Sequence, residues 1–185
     1  SIGTAARFRN SNVLAIDLSL TSLAYATRKC EDLGIDNIEH VQSDILDLKK
    51  LDRQFDIIES AGVLHHMKDP FEGWHILTSC LKKNGLMKIG LYSELARKDI
   101  VETRAEIAKR EMQLNQEAIR NFRSKLTASS VNHHKSLTFS NDFYSLSSFR
   151  DLLLHVQEHR FTLPQISQYL SELGLVFCGF DDIDL

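Results

Sequence analysis

The stretch FDIIESAGVLHHMKDP, residues 55–70, carries the clearest signal for the fold. Its first four residues form a short apolar run that is typical of a buried strand, and polar residues follow where the run ends. Asp69 and Pro70 then mark the start of a helix, because Asp is a favoured N-cap and Pro fits the first helical position. The stretch therefore predicts a strand, a loop that carries His65 and His66, and a helix.

The same alternation extends to both sides of this stretch. Further apolar runs predict strands at residues 12–17, within 38–48 with an end near Asp44, and at 85–93. Between the first two, Ser19 is placed to cap a helix that stops at Gly34. Parallel strands need crossover connections of about a dozen residues or more, which helices usually provide. The pattern therefore predicts an α/β fold with a doubly wound, mostly parallel sheet.

The second half of the chain has a different character. Residues 96–126 are rich in charge and carry apolar residues close to helical period, which predicts one long or two short amphipathic helices. A polar loop is predicted at 129–145, and a later helix is opened by Pro164 and closed by Gly174. The sequence thus predicts one domain in three segments, namely an α/β core (1–93), a helical insertion or cover (94–160), and a closing helix and strand (161–185), the strand at 175–180.

Bulk composition excludes several classes of protein. The chain has 185 residues, 43% of them hydrophobic, which is enough for one continuous core. Its formal charge of -3 and its interspersed charges give no concentrated basic face for nucleic acid. No apolar run is long enough to span a membrane, and no signal-peptide pattern is present. Its three cysteines are widely spaced, which favours reduced thiols and a cytoplasmic location.

Polar residues follow three of the predicted strands at the point where each ends. Open parallel sheets bind ligands beyond the carboxyl ends of their strands. Asp17 ends the first strand, where a carboxylate can accept hydrogen bonds from the two hydroxyls of a ribose. Asp44 ends the second, within reach of an adenine amine, and Glu59 and Ser60 end the third. Each residue alone is more often a cap or a turn residue, but together they favour a nucleotide-like ligand.

Four motifs in order resemble one enzyme family. They are AID-S (residues 15–19), V-x-x-D-I (41–45), the opening stretch with its GVLHH loop, and LKKNGLMKIGLYS (81–93). This order resembles the class I S-adenosylmethionine-dependent methyltransferases over residues 13–93. The resemblance implies a Rossmann-like fold, S-adenosyl-L-methionine as cofactor, and methyl transfer to an acceptor.

The resemblance also assigns roles to the residues at the strand ends. Asp17, with Leu18 beside it, would hold the cofactor's ribose. Asp44 and Ile45 would border the adenine. Glu59 and Ser60 would lie near the methionine moiety.

One family element is missing from this sequence. Such proteins carry a first strand and an acid-x-G-x-G-x-G turn, whereas SIGTAARF (1–8) resembles the helix that follows that turn. The resemblance therefore predicts a truncated domain that lacks the usual first strand and belongs to a longer methyltransferase. We expect residues 1–185 alone to be impaired in cofactor binding and inactive. Unpaired strand edges recruit partners, so self-association is also expected.

His65 and His66 are the candidate catalytic residues. A histidine can remove a proton from an acceptor near neutral pH. Adjacent residues in an extended loop point in opposite directions, which favours at most one of the two, and His65 is narrowly preferred. An equally weighted alternative is that both only shape the loop and the start of the next helix. Tyr92 either borders the acceptor pocket or serves packing, and a small-molecule acceptor is favoured over a macromolecule.

The remaining histidines predict no metal site. His155 and His159 are spaced i, i+4, but no third ligand follows at a recognisable spacing. His133 and His134 lie in the predicted polar loop and are expected to be solvated.

Two other functions remain open at this point. One is a nicotinamide-dependent Rossmann oxidoreductase, since an acid after a strand also serves that cofactor's ribose. The other is a non-catalytic methyltransferase-like interaction module, for which the helical insertion would be a partner surface.

Overall fold

The computed structural model describes residues 1–109, 115–154 and 157–181. Within these residues the chain forms eight α-helices: α1 (Ile2–Arg7), α2 (Leu20–Asp32), α3 (Pro70–Ser79), α4 (Lys98–Lys109), α5 (Gln116–Thr127), α6 (Asn132–Leu137), α7 (Leu146–Leu154) and α8 (Leu163–Glu172). Short 3₁₀ helices lie at Ile45–Lys50, Leu64–His66 and Asn141–Phe143. No helix in the described residues combines the length and the apolar character that crossing a membrane requires.

The strands form two pairs. They are β1 (Val13–Asp17), β2 (Ile38–Gln42), β3 (Phe55–Ala61) and β4 (Leu81–Gly90). β1 pairs with β2 in parallel, and β3 pairs with β4. The alternation of strands and helices and the parallel pairing confirm the predicted α/β class. Neither β1 nor β3 has a second strand partner among the described residues. The self-association expected from such edges stays a prediction.

Local signals in the sequence set the helix ends. The Ser19 side chain caps α2, and the helix is followed by Gly34, whose φ of +62° is the left-handed conformation that glycine adopts easily. Thr162 and Gln165 form a reciprocal capping box at the start of α8, and Gly174 follows that helix with φ of +66°. These helices begin and end close to the predicted positions.

The chain divides into two compact units. The first comprises Ser1–Glu59 and Phe71–Lys88, and the second comprises Ser60–Pro70 and Ile89–Leu185. The histidine loop therefore groups with the helical half of the chain, across the predicted boundary at residue 93. The core of the first unit includes a cluster of Ala5, Cys30 and Ile35. That of the second unit is a larger cluster of apolar residues: Ile100, Ile107, Ile119, Phe122, Leu126, Leu137, Phe143, Phe149, Leu152 and Leu153.

The predicted closing strand at 175–180 is wrong. These residues have no regular secondary structure, and Val176 and Phe180 are 85% and 75% exposed. A strand is stabilised by hydrogen bonds to a neighbour, and no strand in the described part of the chain pairs with this segment. Its apolar composition alone does not make it a strand.

The predicted polar loop at 129–145 is also wrong. This segment contains α6 and a 3₁₀ helix. Leu137 of α6 is only 3% exposed and joins the core of the second unit. His134 is buried and His133 is half-buried, so neither is the solvated side chain that the loop prediction implied.

Candidate functional site

Asp17 and Asp44 lie at the same edge of the first strand pair. Asp17 is the last residue of β1 and stands opposite Gln42, the last residue of β2. The Ser43 amide continues the pairing by donating to the Asp17 carbonyl at 3.3 Å. Asp44 comes one residue later. The structure thus brings the two predicted acids to the carboxyl end of neighbouring parallel strands, where ligands of such sheets bind.

Each of these acids uses one carboxylate oxygen for the backbone. Asp17 Oδ1 accepts from the Ser19 amide at 2.8 Å, and Asp44 Oδ1 accepts from the Leu46 amide at 2.9 Å. Within the described residues, the second oxygen of each makes no hydrogen bond. A carboxylate offers about four acceptor positions. Both side chains therefore act as caps and keep capacity to accept hydrogen bonds from a ligand.

The two apolar neighbours of these acids differ in exposure. Leu18 is 66% exposed, and Gln42 Nε2 holds its carbonyl at 2.9 Å. Ile45 is buried at 8%. Leu18 can offer its side chain to a ligand, whereas Ile45 supports the turn from inside.

Glu59 and Ser60 fall in different units. Glu59, in the first unit, is exposed, and its Oε2 accepts from Thr4 Oγ1 of α1 at 3.0 Å. Ser60, in the second, is 6% exposed, and its hydroxyl has no hydrogen-bond partner among the described residues. Buried hydroxyls are nearly always paired. The Ser60 hydroxyl is therefore available to a bound molecule.

A three-layer stack of side chains dominates the second unit. The His65 ring stacks on Tyr92 with centroids 3.8 Å apart and planes 27° apart. The Arg97 guanidinium carbon lies 3.7 Å from the same Tyr92 centroid. Two groups so close to one centroid must occupy opposite faces, so Tyr92 is sandwiched between an imidazole and a cation. The structure thus brings the predicted residues His65 and Tyr92 into direct contact.

Burial controls the charge of His65. Its side chain is 1% exposed, and neither ring nitrogen has a partner that meets hydrogen-bond geometry in the described residues. Burial, followed by the charge of His66, lowers the pKa of His65 to about 4, and the nearby Gly90 backbone and Glu158 only partly oppose this. His65 is therefore neutral at pH 7.

His66 has a defined hydrogen bond. Its Nδ1 lies 2.9 Å from the Gln157 carbonyl, which can only accept. Nδ1 therefore carries the proton, and in the neutral ring Nε2 is the acceptor.

A buried carboxylate holds Arg97, the cation of the stack, through the edge of its guanidinium group. Glu158 is 1% exposed and accepts hydrogen bonds from Arg97 through Nε and Nη2. Arg104 Nη1 lies 3.2 Å from the same carboxylate. Burial alone would raise the pKa of Glu158, but Arg97 first and then Arg104 and Arg160 outweigh it and hold that pKa below its usual value. Glu158 stays ionised and fixes both arginines.

The segment around Glu158 also holds the histidine loop. The His159 amide donates to the His65 carbonyl at 2.7 Å, and Gln157 Nε2 donates to the Met67 carbonyl at 3.0 Å. These two hydrogen bonds hold the histidine loop in place. His155, which the sequence paired with His159, lies outside the described residues.

Sequence reasoning missed Arg97, Arg104 and Glu158. Arg97 and Glu158 are 61 positions apart, and no spacing or motif connects them. Their chemistry arises only because the chain folds back on itself at 157–161.

Comparisons with known proteins agree with this fold. A family model described as a methyltransferase domain matches residues 3–164. An uncharacterised protein of Synechococcus sp. (strain ATCC 27144) is 30% identical over 183 residues, which cover 95% of this chain and 44% of that protein.

Two solved structures of PKMT2 from Rickettsia typhi are similar in fold. The one in complex with AdoHcy superposes with a TM-score of 0.74 at 18% identity, over 93% of this chain and 35% of that one. The other gives 0.74 at 20% identity, over 93% and 36%. The chain thus spans less than half the length of each of these proteins. Because the family model covers most of its residues, the chain belongs to the methyltransferase domain family, as its sequence motifs predict.

Proposed function

We propose that this chain is the S-adenosyl-L-methionine-binding part of a methyltransferase. The observation that carries the proposal is the pair of acids at the carboxyl end of β1 and β2 in a member of the methyltransferase domain family. The complex of PKMT2 with AdoHcy supports the same cofactor class. The activity of the whole protein is part of the proposal, because the chain covers only 44% of its Synechococcus relative.

The residues of the first unit suit the nucleoside part of that cofactor. Asp17 has a carboxylate oxygen left for the ribose hydroxyls, and Asp44 has one left for the adenine amine. The exposed Leu18 side chain offers an apolar contact for the base. Ile45 is buried, so its role is to support the Asp44 turn. Glu59 is assigned to the ammonium group of the methionine moiety, because it is exposed and acidic.

In the second unit, taken by itself, the buried Ser60 hydroxyl stays a candidate contact for a bound molecule, and we assign the His65–Tyr92–Arg97 stack to the acceptor. The bound cofactor would supply an electrophilic methyl group, so the protein's main task is to position the acceptor. Neutral His65 has a lone pair for a proton, but a pKa near 4 makes it a weak base. Orientation of the acceptor is therefore its main role, and His66 is the second candidate for proton removal.

We favour a small-molecule acceptor. The low net charge of -3 and the mixed surface charges give no extended patch for an anionic polymer. The three cysteines are free thiols, which suits the reducing cytoplasm that the sequence predicts.

Binding of the cofactor to this chain alone should be weak. In open sheets the ligand crevice lies between adjoining strands, whereas the described strands form two separate pairs. We expect a dissociation constant of about 1 mM, or about -4 kcal/mol, rather than the micromolar range expected for a continuous sheet.

Ligand-observed NMR with S-adenosylhomocysteine tests the proposal. Asp17→Asn should weaken binding at least tenfold, because the amide keeps the Ser19 cap but loses the charge that favours ribose hydroxyls. Asp36→Asn is the matched control, since Asp36 is an exposed acid near the amino end of β2 and should leave binding unchanged.

Two results would contradict the proposal. One is saturation by NAD as readily as by S-adenosylhomocysteine, which would favour an oxidoreductase. The other is S-adenosylhomocysteine binding that is absent at millimolar concentration or indifferent to Asp17→Asn, which would favour a non-catalytic module.

A further inference from the structure

A second cluster of titratable side chains lies in the helical part of the second unit, outside the residues assigned above. Glu106 projects from α4, and His133 and His134 project from α6. His133 Nε2 lies 2.7 Å from Glu106 Oε1, and His134 Nε2 lies 3.1 Å from Glu106 Oε2. The potential ligand atoms of the three residues all lie within 4.8 Å of one another. Two imidazole nitrogens thus converge on one carboxylate.

The outward nitrogens of both rings are held as well. His133 Nδ1 lies 3.3 Å from Glu102 Oε2, and His134 Nδ1 lies 2.8 Å from Ser129 Oγ. Metal-binding histidines almost always place their other ring N–H on a carboxylate, a carbonyl or a water, which fixes the tautomer and the ring orientation. Glu102 offers His133 such a carboxylate, and the Ser129 hydroxyl offers His134 an equivalent oxygen acceptor.

The two carboxylates beside His133 favour a positive ion at this position. This ring has a carboxylate oxygen at each nitrogen, Glu102 on one side and Glu106 on the other. A neutral imidazole has a single N–H and can donate to only one of them. The other nitrogen then turns its lone pair toward a carboxylate. A metal ion bound at Nε2 would remove this conflict.

Glu106 is ready to act as an anionic ligand. Its two carboxylate oxygens each lie within hydrogen-bond distance of one imidazole nitrogen, Oε1 near His133 Nε2 and Oε2 near His134 Nε2. The side chains of Glu106, His133 and His134 are 29%, 19% and 10% exposed, so an ion could enter without unfolding the core. Metal ligands must be deprotonated, and this carboxylate meets that condition.

We propose that Glu106, His133 and His134 form a binding site for a divalent first-row metal ion, with Zn²⁺ as the expected occupant. Two imidazoles and one carboxylate are a ligand set that zinc sites use, with water in the fourth position. Ligand atoms of a tetrahedral zinc ion lie about 3.3 Å apart, given bonds of about 2.0–2.2 Å. The two nitrogen–oxygen separations of 2.7 and 3.1 Å would open by about 0.6 and 0.2 Å, and all ligand atoms already lie within 4.8 Å of one another.

The ion would join α4 to α6. Each of these helices also contributes to the second unit's core, α4 through Ile107 and α6 through Leu137. A bound ion stabilises the state that contains the assembled ligands, so it should raise the thermal unfolding midpoint.

Titration of the chelator-treated chain with ZnCl₂ tests the site. The experiment uses a Cys178→Ser background, because Cys178 is an exposed thiol that could bind zinc by itself. Calorimetry should show one ion per chain, and Co²⁺ should give the intense visible absorption of a tetrahedral site. Glu106→Gln and His133→Gln should each weaken zinc binding more than about 100-fold, and Glu102→Gln by about 10–100-fold.

Two controls separate loss of a ligand from loss of the fold. His75→Gln removes an exposed histidine of α3 and should leave the affinity unchanged. Each variant is also compared with the parent by circular dichroism in chelator, where Glu102→Gln, which keeps all three ligands, should be the least perturbed.

The proposal is overturned if zinc binds the parent and Glu106→Gln equally well. It is also overturned if a folded parent shows no zinc binding, or if Co²⁺ gives only the weak absorption of an octahedral ion. In those cases the cluster is a hydrogen-bonded network and not a metal site.

Discussion

The dipeptide His-His occurs at residues 65–66 and again at 133–134, and the two copies have different electrostatic surroundings. The His65 and His66 rings lie 4.3 Å apart at 68°, and those of His133 and His134 lie 4.4 Å apart at 75°. His65 is stacked on Tyr92, and no carboxylate of the described residues makes a hydrogen bond with its ring. The second pair shares the carboxylate of Glu106. Ring geometry is therefore almost equal while the electrostatics differ.

This contrast shows which physical term decides the chemistry of a histidine pair. At His65 the loss of water dominates and favours the neutral ring. At His133 and His134 the carboxylate of Glu106 makes the cluster suited to a bound metal ion. The first pair is therefore suited to pack and orient, and the second to bind a positive ion. The same dipeptide thus lies in a buried stack with Tyr92 at one place and beside a carboxylate at the other.

The largest expected effect comes from removing the carboxylate that supports the first pair. Glu158→Gln would leave Arg97 and Arg104 facing a neutral amide in a site where Glu158 is 1% exposed. Removing one partner of a buried ion pair typically lowers the free energy of unfolding by about 3–5 kcal/mol. Urea unfolding at pH 7 measures this loss.

Glu94→Gln is the matched control for this change. Glu94 is exposed and lies in the same unit, so its replacement should alter the unfolding free energy by less than about 0.5 kcal/mol. Equal effects of the two substitutions would show that Glu158 does not organise the stack.

The next largest expected effect is the pH dependence of stability that comes from His65. Between about pH 6.5 and 4 the unfolded chain protonates His65 but the folded chain does not, so this residue's contribution to stability is lost as the pH falls through that window. Over the whole window the free energy of unfolding should fall by about 3 kcal/mol, and between pH 6.5 and 5 by about 2 kcal/mol.

His65→Phe keeps an aromatic ring against Tyr92 and removes the titrating group. The difference in unfolding free energy between pH 7 and pH 5 should shrink by about 2 kcal/mol in this variant. His75→Gln, at an exposed position, should keep the parent's dependence. An unchanged slope in His65→Phe would mean that His65 is protonated in the folded chain.

The smallest effect concerns the second pair. Ser129→Ala removes the hydroxyl 2.8 Å from His134 Nδ1 and should cost about 1 kcal/mol, a typical value for one hydrogen bond. It should also weaken zinc binding about tenfold, because outer contacts orient the ligand. Equal zinc affinity in the parent and the variant would remove Ser129 from the site.

The parts of the fold that depend on local chemistry could be predicted from the sequence. Ser19 and Gly34 bound α2, and Pro70 starts α3, because caps and backbone preferences act over a few residues. The acids at the ends of β1 and β2 were also predictable, since strand direction fixes which edge they share.

The parts that depend on distant contacts could not be predicted. α6 is six residues long with polar composition, and its burial depends on Leu137 entering a core built from other helices. Glu106 meets His133 from 27 positions away. Conversely, residues 175–180 look like a strand but have none of the pairing that a strand requires in the described part of the chain.

Imidazole NMR of the four paired histidines, recorded against pH and then against ZnCl₂, tests the central claim most directly. We predict that His65 stays neutral down to about pH 5, because its pKa is about 4, and that zinc shifts the Nε2 signals of His133 and His134 alone. Protonation of His65 above pH 6, or zinc shifts at His65 and His66 as large as those at His133 and His134, would contradict the account.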